Sequence, residues 1–260
     1  MANDTDPYFS TTFEKGLIIL NLFDRDHTSR RLSEISKITG INKTSVYRFV
    51  NTLVKLGYLR KSENNNLLRL GPKSFVLGFN FYHSFDILKS VKPIIDKTFL
   101  EYKISIDSAM LHEHTLISLY RREVANLIFM RLPLVMYDLH SRAMGKAILA
   151  NMNSTELAAF LKDIKLKKLT PNTIVNPKAL LKDIALSKER GYSINNEEYV
   201  KGLICIGAPV FNYNTIKVVG AVSLDFPASE YSLEKIESSY PGILTKLANE
   251  LSEAITSVDI

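Results

Sequence analysis

Apolar residues three and four positions apart mark the start of the chain as helical. From Glu14, EKGLIILNLFD carries Leu17, Ile18, Leu20, Leu22 and Phe23 and predicts a first helix. The polar stretch DRDHTSRR interrupts the pattern. RLSEISKITG then predicts a short second helix, with Ser33 as its N-cap and Leu32, Ile35 and Ile38 facing the core. Gly40 stands where a helix stops and the backbone turns left-handed. Asn42 is the expected N-cap of a third helix from about Lys43 to Leu56, in which Val46, Phe49, Val50 and Leu53 make the apolar stripe and Gly57 the end. Beyond it YLRK and LLRLG, separated by the polar SENNN, predict a two-stranded hairpin.

The next stretch is dense in aromatics: Phe75, Phe79, Phe81, Tyr82 and Phe85, with Leu77 among them. Leu88, Val91, Ile94, Ile95, Phe99 and Tyr102 follow at helical spacing, with Pro93 placed best near a helix start. Two helices are expected here, one joining two modules and one opening the second; the aromatic excess suits a dimer surface or plain core, the dimer surface being favoured. From about Ile104 the pattern changes. Strands are expected at ISIDSAMLHE, TLISLYRRE, LIFMRL, LICIGAPVF and KVVGAVSLDF, the last two joined by a turn at NYNT. Helices are expected at RAMGKAILANM, STELAAFLKDI and KALLKDIALSKERGY, the last ended by Gly191, and once more at the C-terminus. That mixture is the pattern of an α+β domain. The expected boundaries are 12–74 for a winged helix-turn-helix, 75–90 for a linker helix and 91–260 for the second domain.

Charge separates the two modules. Residues 1–75 hold 12 Lys+Arg against 7 Asp+Glu, a net +5; the other 185 hold 21 against 20, a net +1. A basic N-terminal module suits a polyanion. A short helix, a Gly turn and a longer helix form the helix-turn-helix pattern, whose second helix enters the DNA major groove. Its polar face here is Lys43, Thr44, Ser45, Tyr47, Arg48 and Asn51. Ser45 and Arg48 are the expected base contacts, since arginine pairs with guanine edges. Lys43, Tyr47 and the hairpin residues Arg60, Lys61 and Arg69 are the expected phosphate contacts. The plainer reading, a three-helix core with a solvated polar face, accounts for each signal singly but not for all together.

At this point the sequence resembles bacterial transcription regulators of the IclR type. The resemblance runs from about Phe13 to about Glu253 and rests on EKGLIILNLF, ISKITGINKTSVYRFVNTLVKLGYL, LRLGPKSFVLG, LHSRAMGKAILA and ERGYSINNEEYVKGLICIGAPVF. It implies a winged helix joined by a linker helix to a GAF-like effector-binding domain, in proteins that are dimers, often tetramers, and that repress or activate operons. Carried over by motif, the effector site comprises the backbone of Ala143, Met144 and Gly145 before and within GKA, then Asn195, with Leu203, Cys205, Ser223 and Asp225 at the other pocket positions. Alternation supports part of this: in AVSLDF, residues Ala221, Ser223 and Asp225 share one strand face. Several positions depart from the family pattern. Arg142 stands where small or hydroxyl residues are usual, Asn195 where an acid is usual, Asp225 where a serine is usual, and CIGAP replaces CIAAP. An inward Arg142 attracts a carboxylate and an inward Asp225 repels one; a small organic acid is favoured over a sugar-derived or neutral polar effector.

No catalytic set emerges. Cys205 is the only cysteine, set in the apolar LICIG, and no spacing ties it to His112 or His140 as a base. His112 and His114 lack a second pair of ligand spacing, so neither a metal nor another cofactor is expected. Glu197 and Glu198 read as solvated acids capping a turn. No apolar run is long enough to span a membrane, and MANDTDPYFSTTF lacks a secretory pattern, so a cytoplasmic protein is expected. The expected partners are a double-stranded DNA operator, a small-molecule effector and a second copy of the chain. The alternative is a metabolite sensor acting through protein contacts without specific DNA binding.

Overall fold

The structure, a computed structural model, describes residues 7–24, 26–84, 86–124 and 134–258. The chain divides into two compact units, Met1–Ser84 and Phe85–Ile260.

The first unit holds α1 (Thr11–Leu20), α2 (Leu32–Thr39), α3 (Lys43–Lys55), the hairpin β1 (Leu59–Lys61) and β2 (Leu68–Leu70), and α4 (Pro72–Ser84). Its core is Ile19, Phe23, Ile35, Val46, Val50, Leu59 and Leu68. Each such aliphatic side chain contributes roughly 1.5–3 kcal/mol by leaving water. Three details differ from the sequence reading. Helix α1 begins earlier, because the Ser10 hydroxyl accepts from the Phe13 N–H, and ends at Leu20, so Leu22 and Phe23 lie beyond it and Ile19 is its buried residue. Helix α2 is capped at Arg31 rather than Ser33: Arg31 is extended, and its N–H donates to Glu34 Oε2 at 2.8 Å. Ile38 is exposed, leaving Ile35 as the buried residue of that helix.

The second unit is a six-stranded antiparallel sheet in the order β5-β4-β3-β8-β7-β6. The strands are β3 (Ser105–His112), β4 (Thr115–Arg122), β5 (Val135–Met136), β6 (Ser193–Asn196), β7 (Leu203–Asn212) and β8 (Lys217–Pro227). One face carries Ile106, Ile204, Ile206, Val222, Leu224 and Phe226, packed with α5 (Asp86–Tyr102) and α10 (Pro241–Thr256). The other face is covered by α6 (Ala143–Leu149), with α8 (Pro177–Arg190) beside it and α7 (Ser154–Asp163) in the same apolar cluster. Strands β5 and β6 were not foreseen, being too short for alternation to register. The strand expected at LIFMRL lies outside the described residues. Pro93 sits inside α5, not near its start: the buried stripe Ile87, Val91, Ile95 runs through it and anchors both halves of the helix to the core. The single C-terminal helix is two, α9 (Leu233–Ser239) and α10, because Pro241, at the first position of α10, has no N–H to continue the hydrogen-bond ladder of α9. No helix among the described residues is long and apolar enough to cross a membrane.

Candidate DNA-reading surface and effector cavity

In the first unit, Gly40 ends α2 at φ 69°, and Asn42 caps α3 by accepting from the Ser45 N–H at 2.9 Å. That tight join fixes α3 with Val46 and Val50 inward. Lys43, Thr44, Tyr47, Arg48 and Asn51 are therefore exposed, and Ser45 is half-buried beside them. In the hairpin, Leu59 and Leu68 point into the core while Arg60, Lys61 and Arg69 face solvent. Arg60 pairs directly with Arg69 across the two strands. Like charges at that position repel, a cost that phosphate oxygens would offset.

In the second unit, strand register assembles a polar platform on the face beneath α6. One row across the sheet is Asn195–Cys205–Asp225–Ser105; the next is Ser193–Gly207–Ser223–Asp107–Arg121. Helix α6 rests on this platform at Gly207, where a Cβ would lie 2.6 Å from the Ala143 carbonyl carbon. The Ser193 hydroxyl donates to the Ala143 carbonyl. The first N–H groups of α6 have no acceptor within their own helix. Between platform and helix is a cavity of about 20 Å³, lined by Arg142, Ala143, Met144, Asn195, Leu203, Cys205, Ser223 and Asp225 among others. Gly145 is absent from that lining: it lies against Leu139, whose carbonyl oxygen a Cβ would meet at 2.2 Å. Asp107, Met136 and Tyr199 complete the wall and were not anticipated. Asp107 was legible in principle, since ISIDSAM alternates as AVSLDF does; Tyr199 sits in an irregular loop that gives no periodic signal.

The cavity is charged and buried. Arg142 is 6% exposed; its guanidinium lies 3.5 Å over the Tyr199 ring, and its Nε has no hydrogen-bond partner. Burial pulls its pKa below the usual guanidinium value, against the raising influence of Tyr199 and nearby carboxylates. The Asp107 carboxylate accepts from the Arg121 guanidinium and from the Ser118 hydroxyl at 3.1 Å; burial nonetheless raises its pKa. Asp225 accepts from the Ser223 hydroxyl at 2.7 Å. Burial, reinforced by the negative charge of Asp107, lifts its pKa to about 6. Burial and Asp225 likewise push the Cys205 thiol well above the usual thiol range, the reverse of what a nucleophile needs. His140 is tied by Nε2 to the Lys167 carbonyl at 3.0 Å.

A second buried cluster fixes the cavity wall. Lys146, fully buried, donates to Glu198 Oε1 at 2.5 Å and the Ile194 carbonyl at 3.0 Å, and lies 2.9 Å from Asp183 Oδ2. Glu198 is thus not a solvated acid as expected; it is 6% exposed, and burial raises its pKa despite the adjacent ammonium. Its N–H donates to Asn195 Oδ1 at 2.7 Å. Glu197 does cap a turn, accepting from the Gly202 N–H at 2.7 Å.

The family model for the bacterial transcriptional regulator IclR C-terminal domain matches residues 79–253, and that for the IclR helix-turn-helix domain matches residues 12–63. The HTH-type transcriptional regulator XynR of Escherichia coli K12 is 28% identical over 213 residues, 81% of this chain and 84% of its own. The HTH-type transcriptional repressor AllR of Salmonella paratyphi A is 25% identical over 255 residues, 98% of this chain and 93% of its own. Among solved structures, an IclR homologue from Microbacterium hydrocarbonoxydans complexed with 4-hydroxybenzoate superposes with a TM-score of 0.65 at 19% identity, covering 95% of this chain and 100% of that one.

Proposed function

The chain belongs to the IclR family of bacterial transcription regulators, and we propose that it is a repressor whose grip on its operator is weakened by a small organic acid bound between α6 and the sheet. DNA binding through the helix-turn-helix and effector binding in the C-terminal domain are family properties; these are regulators, not enzymes. The assignment of residues is our reading. Ser45 and Arg48 contact base edges, and Thr44 and Asn51 lie beside them on the same face of α3. Lys43, Tyr47, Arg60, Lys61 and Arg69 hold phosphates. The effector lies against Arg142, Ala143, Met144, Asn195, Leu203, Cys205, Ser223 and Asp225.

The observation that carries the effector site is Arg142. A buried guanidinium N–H left unmade is unfavourable, and an anion's oxygen in the cavity would satisfy it. The organic acid held by the Microbacterium hydrocarbonoxydans homologue supports the same class of ligand on this fold. The cavity admits roughly one water in its present form, so ligand entry must part α6 from the platform or move the Tyr199 loop. Such a movement is what an effector needs if it is to favour one conformation over another.

Dimerisation is the second part of the reading. Helix α4, most of which falls in the segment 75–90 that we take to join reader and sensor, exposes Phe75, Val76, Leu77, Phe79 and Phe81. A second copy would cover such a surface, and paired readers suit a paired operator.

The test is selection of genomic fragments by purified protein, with Arg48→Ala alongside. Recovery of a few fragments sharing a two-fold motif, lost with Arg48→Ala, is the expected result. Effector candidates from the adjoining genes should then release those fragments. By reciprocity the releasing ligand must bind the DNA complex more weakly than the free protein. Equal affinity for both would overturn the repressor-release reading.

A further inference from the structure

Two groups of opposite charge face the cavity, and each wants something different from a ligand. Stacking on Tyr199 occupies the face of the Arg142 guanidinium and leaves its Nε edge as an unmet donor. Asp225 wants the reverse. It lies 6% exposed and forms no ion pair among the described residues; the Ser223 hydroxyl and the Cys205 thiol are its hydrogen-bond neighbours, and the Arg121 guanidinium, bound to Asp107, attracts it without contact. Asp107 differs, since Arg121 and Ser118 already occupy its two oxygens. Asn195 is oriented by its own network. Its Oδ1 accepts from the N–H groups of Glu198 and Tyr199 at 2.7 and 3.4 Å, so its Nδ2 is the atom left for the cavity, where its one contact is Cys205 Sγ at 3.9 Å.

A plain carboxylic acid meets half of this demand. Its carboxylate satisfies Arg142 but adds a negative charge to a small space that already holds Asp225 and Asp107, where Coulomb repulsion is weakly screened. A neutral polyol meets the other half, donating to Asp225, but offers Arg142 Nε only a neutral hydroxyl oxygen, a weaker acceptor than a carboxylate. A molecule with both a carboxylate and a hydroxyl satisfies both groups, because its hydroxyl places a proton between the ligand and Asp225. Any ligand must open the cavity, and a short aliphatic chain needs the smallest opening. Resting on the reading of this cavity as the effector site, we propose that it selects a short aliphatic hydroxy acid, with Arg142 and Asn195 holding the carboxylate and Asp225 accepting from a hydroxyl. Asp225 is then the specificity-determining residue, and Arg142 the affinity-determining one.

The experiment uses the full chain and two matched trios of probes: glycerate, propionate and glycerol, then gluconate, hexanoate and sorbitol. Binding is read by calorimetry for the wild type and for Asp225→Ser, Asp225→Asn and Arg142→Met, with near-ultraviolet circular dichroism confirming that each variant is folded. In the wild type at least one hydroxy acid should bind about tenfold or more tighter than both of its matched partners, since a buried acceptor left unmade penalises the analogue that lacks the hydroxyl. Asp225→Ser should bring that ratio against the plain acid to within about threefold, and Asp225→Asn, which removes charge but keeps shape, should tighten the plain acid. Arg142→Met should weaken every acid. If neither hydroxy acid outbinds its plain-acid partner in the wild type, or if no hydroxy acid binds, the class is wrong. If a hydroxy acid binds and neither Asp225→Ser nor Arg142→Met changes its affinity, the cavity is not the effector site, and the underlying reading fails instead.

Discussion

Helix α3 and the platform under α6 are both dense in polar side chains, and they treat water in opposite ways. On α3 the donors point outward, and the helix is held from behind by Val46 and Val50. Lys43, Arg48 and Asn51 are solvated whether or not a partner is present, so the first unit gives up little to display them. Around the cavity, Asp107, Arg142, Asn195, Ser223 and Asp225 are all buried. Their desolvation is a standing cost, met only in part by internal pairing. A surface that reads a large polyanion can stay rigid and wait. A cavity lined by buried polar groups that are only partly paired, if it is the effector site as proposed, gives a ligand interactions that differ between conformations, which is what shifts a conformational equilibrium.

The comparison is broken most forcefully at Lys146. Its ammonium, fully buried, lies between Glu198 and Asp183 and so joins α6, α8 and the loop after β6. Lys146→Met leaves two carboxylates without their cation, and removing one partner of a buried pair costs about 3–5 kcal/mol. Urea unfolding should show that loss in the second unit, with the first unit's transition unmoved. A loss under about 1 kcal/mol would mean that apolar packing alone holds α6 on the sheet.

Asp225 gives the next largest effect, and its sign follows from linkage. Its pKa in the folded chain is about 6 against an ordinary 3.8. Between those values the folded state keeps a proton that the unfolded state has lost. Stability contributed by this group is therefore greatest at low pH, falls as pH rises from about 4 to 6, and is flat above. The full change is on the order of 2–3 kcal/mol. Asp107 and Glu198, also raised by burial, act in the same direction, while His140, whose pKa is lowered by burial, acts against them. The difference between wild type and Asp225→Asn isolates the one group: the variant should gain stability relative to wild type as pH goes from 4 to 7. A pH-independent difference would show that Asp225 is not held in the environment described.

Most of the reading unit was legible because its signals are local. Asn42 capping α3, Gly40 ending α2 and the spacing of Val46 and Val50 are each decided within a few residues. The misreadings there, Ser33 for Arg31 and the start of α1, concern ends, where one competing acceptor moves a boundary by two or three residues. The sensing unit was legible as a pattern of strands, but its chemistry depends on which strand lies beside which. Asp107 and Asp225 are 118 positions apart in sequence and meet because β3 pairs with β8. Glu198 appears solvated in the polar NNEEY and is buried because Lys146, 52 residues earlier, reaches it. Periodicity along the chain does not carry that information.

Arg48→Ala sharpens the other half of the comparison. Because Arg48 is exposed and its side chain supports nothing behind it, the variant should keep wild-type stability within about 0.5 kcal/mol. Its loss should appear only on DNA: about 1–3 kcal/mol on the selected operator if it pairs with a guanine, with little change on random DNA beyond one lost charge. Fluorescence anisotropy on both DNAs at one salt concentration separates the outcomes. Equal weakening on both would make Arg48 a phosphate contact and leave Ser45 as the remaining base reader.

The smallest effect comes from the hairpin, and its two parts have opposite signs. Arg60 and Arg69 face each other across β1 and β2, so each destabilises the other in the free protein. Arg60→Ala should therefore stabilise the first unit by a few tenths of a kcal/mol, roughly the scale of a cross-strand pair. On the proposed phosphate role of Arg60 the same change removes one contact, so operator affinity should fall evenly across sequences, and the slope of log affinity against log salt should become shallower by about 0.9. A scaffold residue would lose stability on truncation, and a solvated bystander would leave the salt slope alone. Only a side chain placed against its twin for the sake of an absent polyanion gives stability up and salt dependence down together, and thermal melts paired with a salt titration of the same protein would read both.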